Sequence, residues 1–331
     1  MRQKLLILVG ILISALFLWI AFQGLNPSVV WEYIQRAQPG WLLLGALVFY
    51  ISMVLIAWRW SFLLPTTAKI PLSYLAQLYA ITYMGNNVYP LRAGEVLRVF
   101  LMQRDYQVPV ARTSTTVFIE RIFDGFVMLG FIVIPLQFIQ VESESLRIVF
   151  TATTALFAVA LVAFVVFALK PGLLRALAGF IARLLPESLA TLVLRLSEDV
   201  IDGLTGLRSV RQLVGAVAGS LLTWLFNALV YWLVGLAFDI HVGFLVMLVI
   251  CGAVNLAGVI PASPGQIGVF EASVKTVLTG VGVADDLALA YAFVVHAVIW
   301  LPPTILGFIL LVRRGLGLQI FARARQATIS A

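Results

Sequence analysis

Cysteine and histidine are nearly absent from this chain. Cys251 is the one cysteine, and His241 and His296 are the only histidines. A lone cysteine excludes an internal disulfide and a cysteine-rich metal site. Charge is scarce too: Asp, Glu, Lys and Arg make up 11% of the 331 residues, where a soluble domain carries about 25%. Acidic residues are the scarcer sign, 15 against 22 basic ones. No nucleotide-binding motif occurs, no cofactor or metal is expected, and no stretch is long and polar enough for a soluble catalytic domain. Enzyme activity and catalytic residues are therefore not expected.

What is there is apolar: 62% of residues are hydrophobic. Runs of about 20 apolar residues recur from end to end, long enough to cross a bilayer core. They are Leu5–Phe22, Trp41–Leu64, Leu72–Tyr89, Val110–Ile139, Ile148–Leu169, Leu213–Phe238, Val242–Ile260, Gly265–Val283 and Leu287–Val312. An outer-membrane barrel would show short alternating strands instead. The expected fold class is all-α, a polytopic helical membrane protein. The first run has a basic start but no small-residue cleavage site, so it reads as an uncleaved anchor rather than a signal peptide.

The net charge of +7 would suggest nucleic acid in a soluble domain, but its distribution here points to cytoplasmic loops. Eighteen of the 22 Lys and Arg, Arg59 counted among them as a loop base, fall on one side if both termini are cytoplasmic and Leu72–Tyr89 is re-entrant. That arrangement predicts eight transmembrane helices plus a re-entrant broken helix in the inner, cytoplasmic membrane. A single membrane domain is expected, in four parts. Residues 1–169 are a first half broken near 86–95. Residues 170–211 are a cytoplasmic linker. Residues 212–312 are a second half broken near 258–268, and 313–331 are a basic cytoplasmic tail. In the linker, Leu189, Leu192, Leu196, Val200, Leu204 and Leu207 recur at steps of three and four, which predicts an amphipathic helix on the membrane surface or under the bundle.

Two stretches interrupt the apolar pattern. In NNVYPLRAGEVLRVF (86–100), Pro90 lacks a backbone N–H and Gly94 loosens the chain, so the helix entering at Leu72 is expected to break near Asn86–Pro90 and restart near Gly94 or Glu95. In GVIPASPGQIGVFEASVK (258–275), Pro261 and Pro264 break the chain. Ser263 reads as an N-cap with Pro264 at the first helical position and Gln266 completing a capping box. Pro264, Gly268, Glu271 and Lys275 then share a face, and Glu271 and Lys275 are spaced for an ion pair. Both breaks run Pro, Gly, Glu, which suggests an inverted repeat whose broken helices meet near the midplane. Helix N-termini there would offer free N–H groups to an anion, and Arg92 can grip a phosphate at two points. The bland alternative is that Pro and Gly merely bend the chain and Arg92 reaches for the interface.

Charge also lies at membrane depth: Glu95, Glu120, Arg121, Asp124, Glu271 and Lys275. A central charge costs about 2.5–3.5 kcal/mol on an insertion scale, so these must be paired or hydrated. Thr113, Thr116, Glu120 and Asp124 share one helical face, and Arg121 can reach Asp124. The set is either a structural ion-pair network or a hydrated path for a charged group. Ser220, Thr223, Asn227 and Tyr231 form a polar stripe suited to interhelical bonding. His296 lies within an apolar run, equally suited to packing and to a working role.

The stretches NVYPLRAGEVLRVFLM, IERIFD and GVIPASPGQIGVFEASV, followed by LALAYAFVVHAVIWLPPTILG, resemble the transmembrane, flippase-type region of the lysylphosphatidylglycerol synthase family. The resemblance runs from about Trp41 to the end. It implies a flippase moving an aminoacylated phospholipid between leaflets, or a stand-alone member tied to hopanoid or polyprenyl-linked glycan pathways. It also implies a polar core of Asn87, Pro90, Arg92, Gly94, Glu95, Arg98, Glu120, Arg121, Asp124, Pro261, Pro264, Gly265, Gly268 and Glu271. These residues include no aminoacyltransferase portion, so the synthase activity is not carried over.

The leading expectation is a transporter or flippase for an anionic or zwitterionic lipid, phospholipid or polyprenyl-linked. Its substrate-binding residues would be Asn87, Arg92, Glu95, Arg98, Glu120, Arg121, Asp124, Ser263, Gly265, Gly268, Glu271, Lys275 and His296. The alternatives are a membrane glycosyltransferase using a polyprenyl-phosphate donor and an accessory subunit of a lipid-modifying enzyme. The expected partners are membrane lipids and, on the last reading, that separate enzyme; nucleic acid is not expected.

Overall fold

The computed structural model describes residues 2–23, 26–64, 70–89, 92–138, 148, parts of 151–167, 170–206, 210–258, 264–317, 319–321 and 324. Pro90, Pro261, Ser263 and half of the expected span Ile148–Leu169 lie outside them. Among the described residues the chain is all helical. The helices are α1 (Arg2–Phe22), α2 (Pro27–Arg36), α3 (Pro39–Leu63), α4 (Leu72–Val88), α5 (Ala93–Tyr106), α6 (Val110–Leu136), α7 (Pro171–Ala182), α8 (Glu187–Gly206), α9 (Val210–Ala237), α10 (Phe244–Ala257), α11 (Val269–Thr279) and α12 (Asp285–Arg313).

Among the described residues α3, α9 and α12 are long and apolar enough to cross a membrane. Their outer faces fit lipid rather than water. Leu43, Leu47, Ile51 and Val54 on α3, and Leu301, Ile305, Ile309 and Val312 on α12, are exposed at helical spacing. α6 has 27 residues but carries Glu120, Arg121 and Asp124 in mid-course. After α1 the chain turns by 85° into α2, which starts where the Asn26 side chain accepts the Ser28 N–H at 3.1 Å and Pro27 fixes the first turn.

The first interruption makes a hairpin. α4 ends at Val88, α5 begins at Ala93, and the two run back to back: the Tyr74 hydroxyl, near the start of α4, donates to Asp105 at the end of α5 at 2.7 Å. The crossing needs glycine. A Cβ on Gly94 would stand 2.0 Å from the Thr82 carbonyl oxygen. The second interruption makes another hairpin, which departs from the expected pair of full crossings over Val242–Ile260 and Gly265–Val283. α10 has 14 residues and α11 has 11, so they reach roughly 21 and 16 Å against a core of about 30 Å.

The hairpins enter from opposite ends. Arg314, just past α12, bonds Gln77 of α4 and Asp105 of α5, so these elements share one end. At the other end Gln38, before α3, donates to the Ala237 carbonyl that closes α9, and Lys275 of α11 pairs with Asp285 at the start of α12. The tips meet between. Arg92 donates to the Gly258 carbonyl at 3.4 Å, and Asn87 donates to Thr304 Oγ1 at 2.8 Å and to the Trp300 carbonyl at 3.3 Å, near the middle of α12.

Candidate functional site

The charged residues separate into two layers. The inner layer is sealed: the side chains of Arg59, Arg98 and Glu120 are fully buried. Glu120 accepts from Arg59 at 2.9 Å, from Arg98 at 2.7 Å, and from the Tyr79 hydroxyl. Asp124 accepts from Arg59 and from Trp224 Nε1, the latter at 2.7 Å. Arg59 also reaches Ser220 at 3.2 Å. The Arg98 guanidinium lies 4.5 Å from the ring centres of both Trp60 and Tyr79, and its Nε and Nη1 have no hydrogen-bond acceptor. Their charge therefore rests on aromatic faces. Two arginines against two carboxylates leave this layer neutral, which is the condition for charge to survive in a dry interior.

Arg59 was expected as a loop base and is instead the hub of this network. The signal was available, because it sits inside the run Trp41–Leu64 between Trp58 and Trp60. Tyr79, Trp60 and Trp224 were not singled out; each is an aromatic with a polar tip, and such tips need partners when buried. Of the polar stripe on α9, Ser220 does bond across to another helix, whereas Asn227 bonds Thr223 of its own helix.

The outer layer is loose and partly exposed. Arg92 stands 3.6 Å from Glu95, and Arg121 stands 4.0 Å from Glu95 and 3.4 Å from Asp124. The Arg92 and Arg121 side chains are 42% and 38% exposed, and Glu95 is 19% exposed. With Asp124 committed to the neutral layer, two arginines face one glutamate and a net positive charge remains. Arg92 is also strained, with φ of 52° at the start of α5. Its contact with Gly258 places a cation at the C-terminal end of α10, where the helix dipole is negative.

The expectation of free N–H groups at the broken helix starts needs correcting at two positions. Gly94 N–H donates to Asn86 Oδ1 at 3.0 Å, and Gly268 N–H donates to Glu271 Oε2 at 2.6 Å. The predicted start at Ser263–Pro264 is also displaced. Pro264–Gln266 is a single 3₁₀ turn, and α11 begins only at Val269. Gly268 has φ of 91°, and a Cβ there would lie 2.4 Å from the Ser14 carbonyl oxygen of α1, so the chain turns where glycine allows it. Gly265 sits against Trp300.

The expected Glu271–Lys275 pair is not formed. Glu271 Oε1 lies 2.6 Å from His296 Nδ1, and the His296 ring stacks on Phe270 with centres 4.1 Å apart. Lys275 pairs with Asp285 at 3.0 Å and donates to the Ala21 carbonyl at 3.1 Å. Thus the structure gathers Arg92, Glu95 and Arg121 into one outer cluster, with Arg98, Glu120 and Asp124 in the sealed layer beneath it and Asp124 also reaching Arg121. Asn87 and Gly265 lie at the meeting of the tips. Gly268, Glu271 and His296 form a second group, and Lys275 stands apart at the far end.

Three helices long and apolar enough to cross a membrane, with two opposed helical hairpins around paired charges, fit a helical membrane protein. The chain belongs to the family described as the lysylphosphatidylglycerol synthase TM region, which it matches over residues 7–307. It is similar to the UPF0104 membrane proteins of Pyrococcus horikoshii, at 23% identity over 95% of this chain and 97% of that protein, and of Methanocaldococcus jannaschii, at 22% over 90% and 92%. It is also similar to the protein named Glycosyltransferase AglD of Haloferax volcanii, at 23% identity over 89% of this chain. The chain spans about half of that relative, 52% of its length. The expectation that the chain is no enzyme does not stand, because a relative that 89% of this chain matches carries an enzyme's name.

Proposed function

We propose that the chain binds a lipid with an anionic or zwitterionic headgroup, phospholipid or polyprenyl-linked, and moves it between leaflets. Both termini lie in the cytoplasm on this reading, and the first hairpin enters from that side. Arg92 and Arg121 hold the phosphate, Glu95 spaces them, and the tails stay in the bilayer. The observation that carries the reading is the net positive, partly exposed cluster at the meeting of two interrupted hairpins. The tight inner layer supports it by holding α3, α5 and α6 rigid beneath.

The test is lipid mass spectrometry on gently purified protein, beside Arg92→Ala and Arg121→Ala. One lipid class enriched over the bulk membrane and reduced about tenfold or more in the variants is expected, since a charge-assisted bond is worth about 1.5–3 kcal/mol. Equal lipid content in all three, with all three folded, refutes it. The Haloferax relative's name favours a second reading, sugar transfer, with a polyprenyl phosphate as the donor we propose. It uses the same phosphate grip, and sugar transfer by the purified protein would select it.

A further inference from the structure

The arginines of the inner layer keep their charge at any pH, but the partner of Glu271 does not. Histidine changes charge near neutral pH. Glu271 is buried, and both of its oxygens are engaged: Oε2 takes the Gly268 N–H at 2.6 Å, and Oε1 faces His296 Nδ1 at 2.6 Å. One carboxylate therefore ties the start of α11 to the middle of α12. Four residues beyond His296, the Trp300 carbonyl receives Asn87 from the tip of the first hairpin. The charge of His296 thus acts where both hairpins grip one helix.

Other ionisable groups around the pair are spoken for or ordinarily uncharged. On α11, Lys275 is held by Asp285 of α12, and Asp286 accepts from the Asn26 N–H. On α2, Glu32 and Arg36 pair with each other. On α3, Arg59 belongs to the sealed layer. Arg313 lies at the far end of α12. α10 presents Cys251, and α3, α4, α9 and α12 present Tyr50, Tyr83, Tyr231 and Tyr291, groups that carry no charge near neutral pH in water. The described side chains of α1 include no ionisable group.

We propose that Glu271 and His296 form a proton-binding dyad and that protonation tightens the hold of the second hairpin on α12, coupling proton uptake to the headgroup step at Arg92 and Arg121. The proton comes from water and returns to water. Nδ1 faces the Glu271 carboxylate, so the second proton goes to Nε2, turning a hydrogen bond from a neutral imidazole into an ion pair. The coupling clause rests on the lipid-moving function proposed above; the dyad does not.

Two histidines in the whole chain make the test direct. Full-length protein with nitrogen-labelled histidine is titrated by NMR in lipid nanodiscs, with exposed His241 as the reference. The His296 nitrogen signals are expected to respond to pH, and Glu271→Gln is expected to change that response while leaving His241 as it was. A His296 that does not titrate, or that ignores Glu271→Gln, overturns the dyad. Coupling is read in vesicles of phosphatidylglycerol and phosphatidylethanolamine, with fluorescently tailed phosphatidylglycerol and an imposed pH gradient. The gradient should change the wild-type rate severalfold and leave His296→Gln, which keeps the hydrogen bond, unaffected. Movement indifferent to the gradient overturns the coupling. No movement, with the titration as expected, overturns the lipid-moving function and upholds the dyad.

Discussion

Glu120→Gln separates the structural charges from the working ones. Glu120 stands between Arg59 and Arg98, and all three side chains are fully buried. The substitution keeps the shape and removes the charge. Arg59 and Arg98 are then left with Asp124 alone, an uncompensated positive charge in the interior. Breaking a buried pair in this way costs about 3–5 kcal/mol. That is a large share of a total stability of roughly 5–15 kcal/mol, and it lowers the ratio of folded to unfolded protein by about two to nearly four powers of ten. The assay is reversible unfolding in detergent micelles, with Arg92→Ala as the comparison. Arg92 is 42% exposed and loosely paired, so its loss should cost less than about 1 kcal/mol while removing bound lipid. Adding Arg98→Met to Glu120→Gln restores a balanced Arg59–Asp124 pair, so the double variant should be more stable than the sum of the single losses implies. Stability of Glu120→Gln within about 0.5 kcal/mol of wild type, with Arg92→Ala falling by several, would refute the two-layer division.

Trp224→Phe removes the Nε1 donor that meets Asp124 at 2.7 Å and should lower stability by about 1.5–3 kcal/mol in the same assay. Gly268→Ala should cost at least about 1–3 kcal/mol from its backbone alone, and the contact with Ser14 should push α1 aside; a thermal midpoint equal to wild type would contradict both. Asp105 lies at the end of α5, outside the apolar spans. Burial acts to raise its pKa, but bonds from Arg104 and Tyr74 and the nearby Arg314 outweigh that and hold it below 3.8. A lowered carboxylate contributes stability above its unfolded value and loses it as pH falls through the folded one. Acidification below about pH 4 should therefore loosen the end of α12, and Asp105→Asn should abolish that part of the pH dependence in a thermal melt.

Much of this molecule is dictated locally. Apolar length alone made α3, α9 and α12 spanning helices, because a helix satisfies its own backbone and lipid accepts any apolar side chain. The break between Val88 and Ala93 was legible because Pro90 cannot donate and Gly94 has no side chain, whatever surrounds them. The Arg121–Asp124 approach followed from three-residue spacing on one helix. Tertiary structure decided the partners. Arg59 and Glu120 are 61 positions apart, and Glu271 bonds His296 across 25 positions rather than Lys275 one turn away, because packing brings α12 closer than the helix's own next turn. It also moved the start of α11 to Val269, just after Gly268, where the close approach of α1 leaves no room for a side chain. Helical periodicity tells which residues share a face; which face meets which is settled only when the helices pack, and there the charges find their partners.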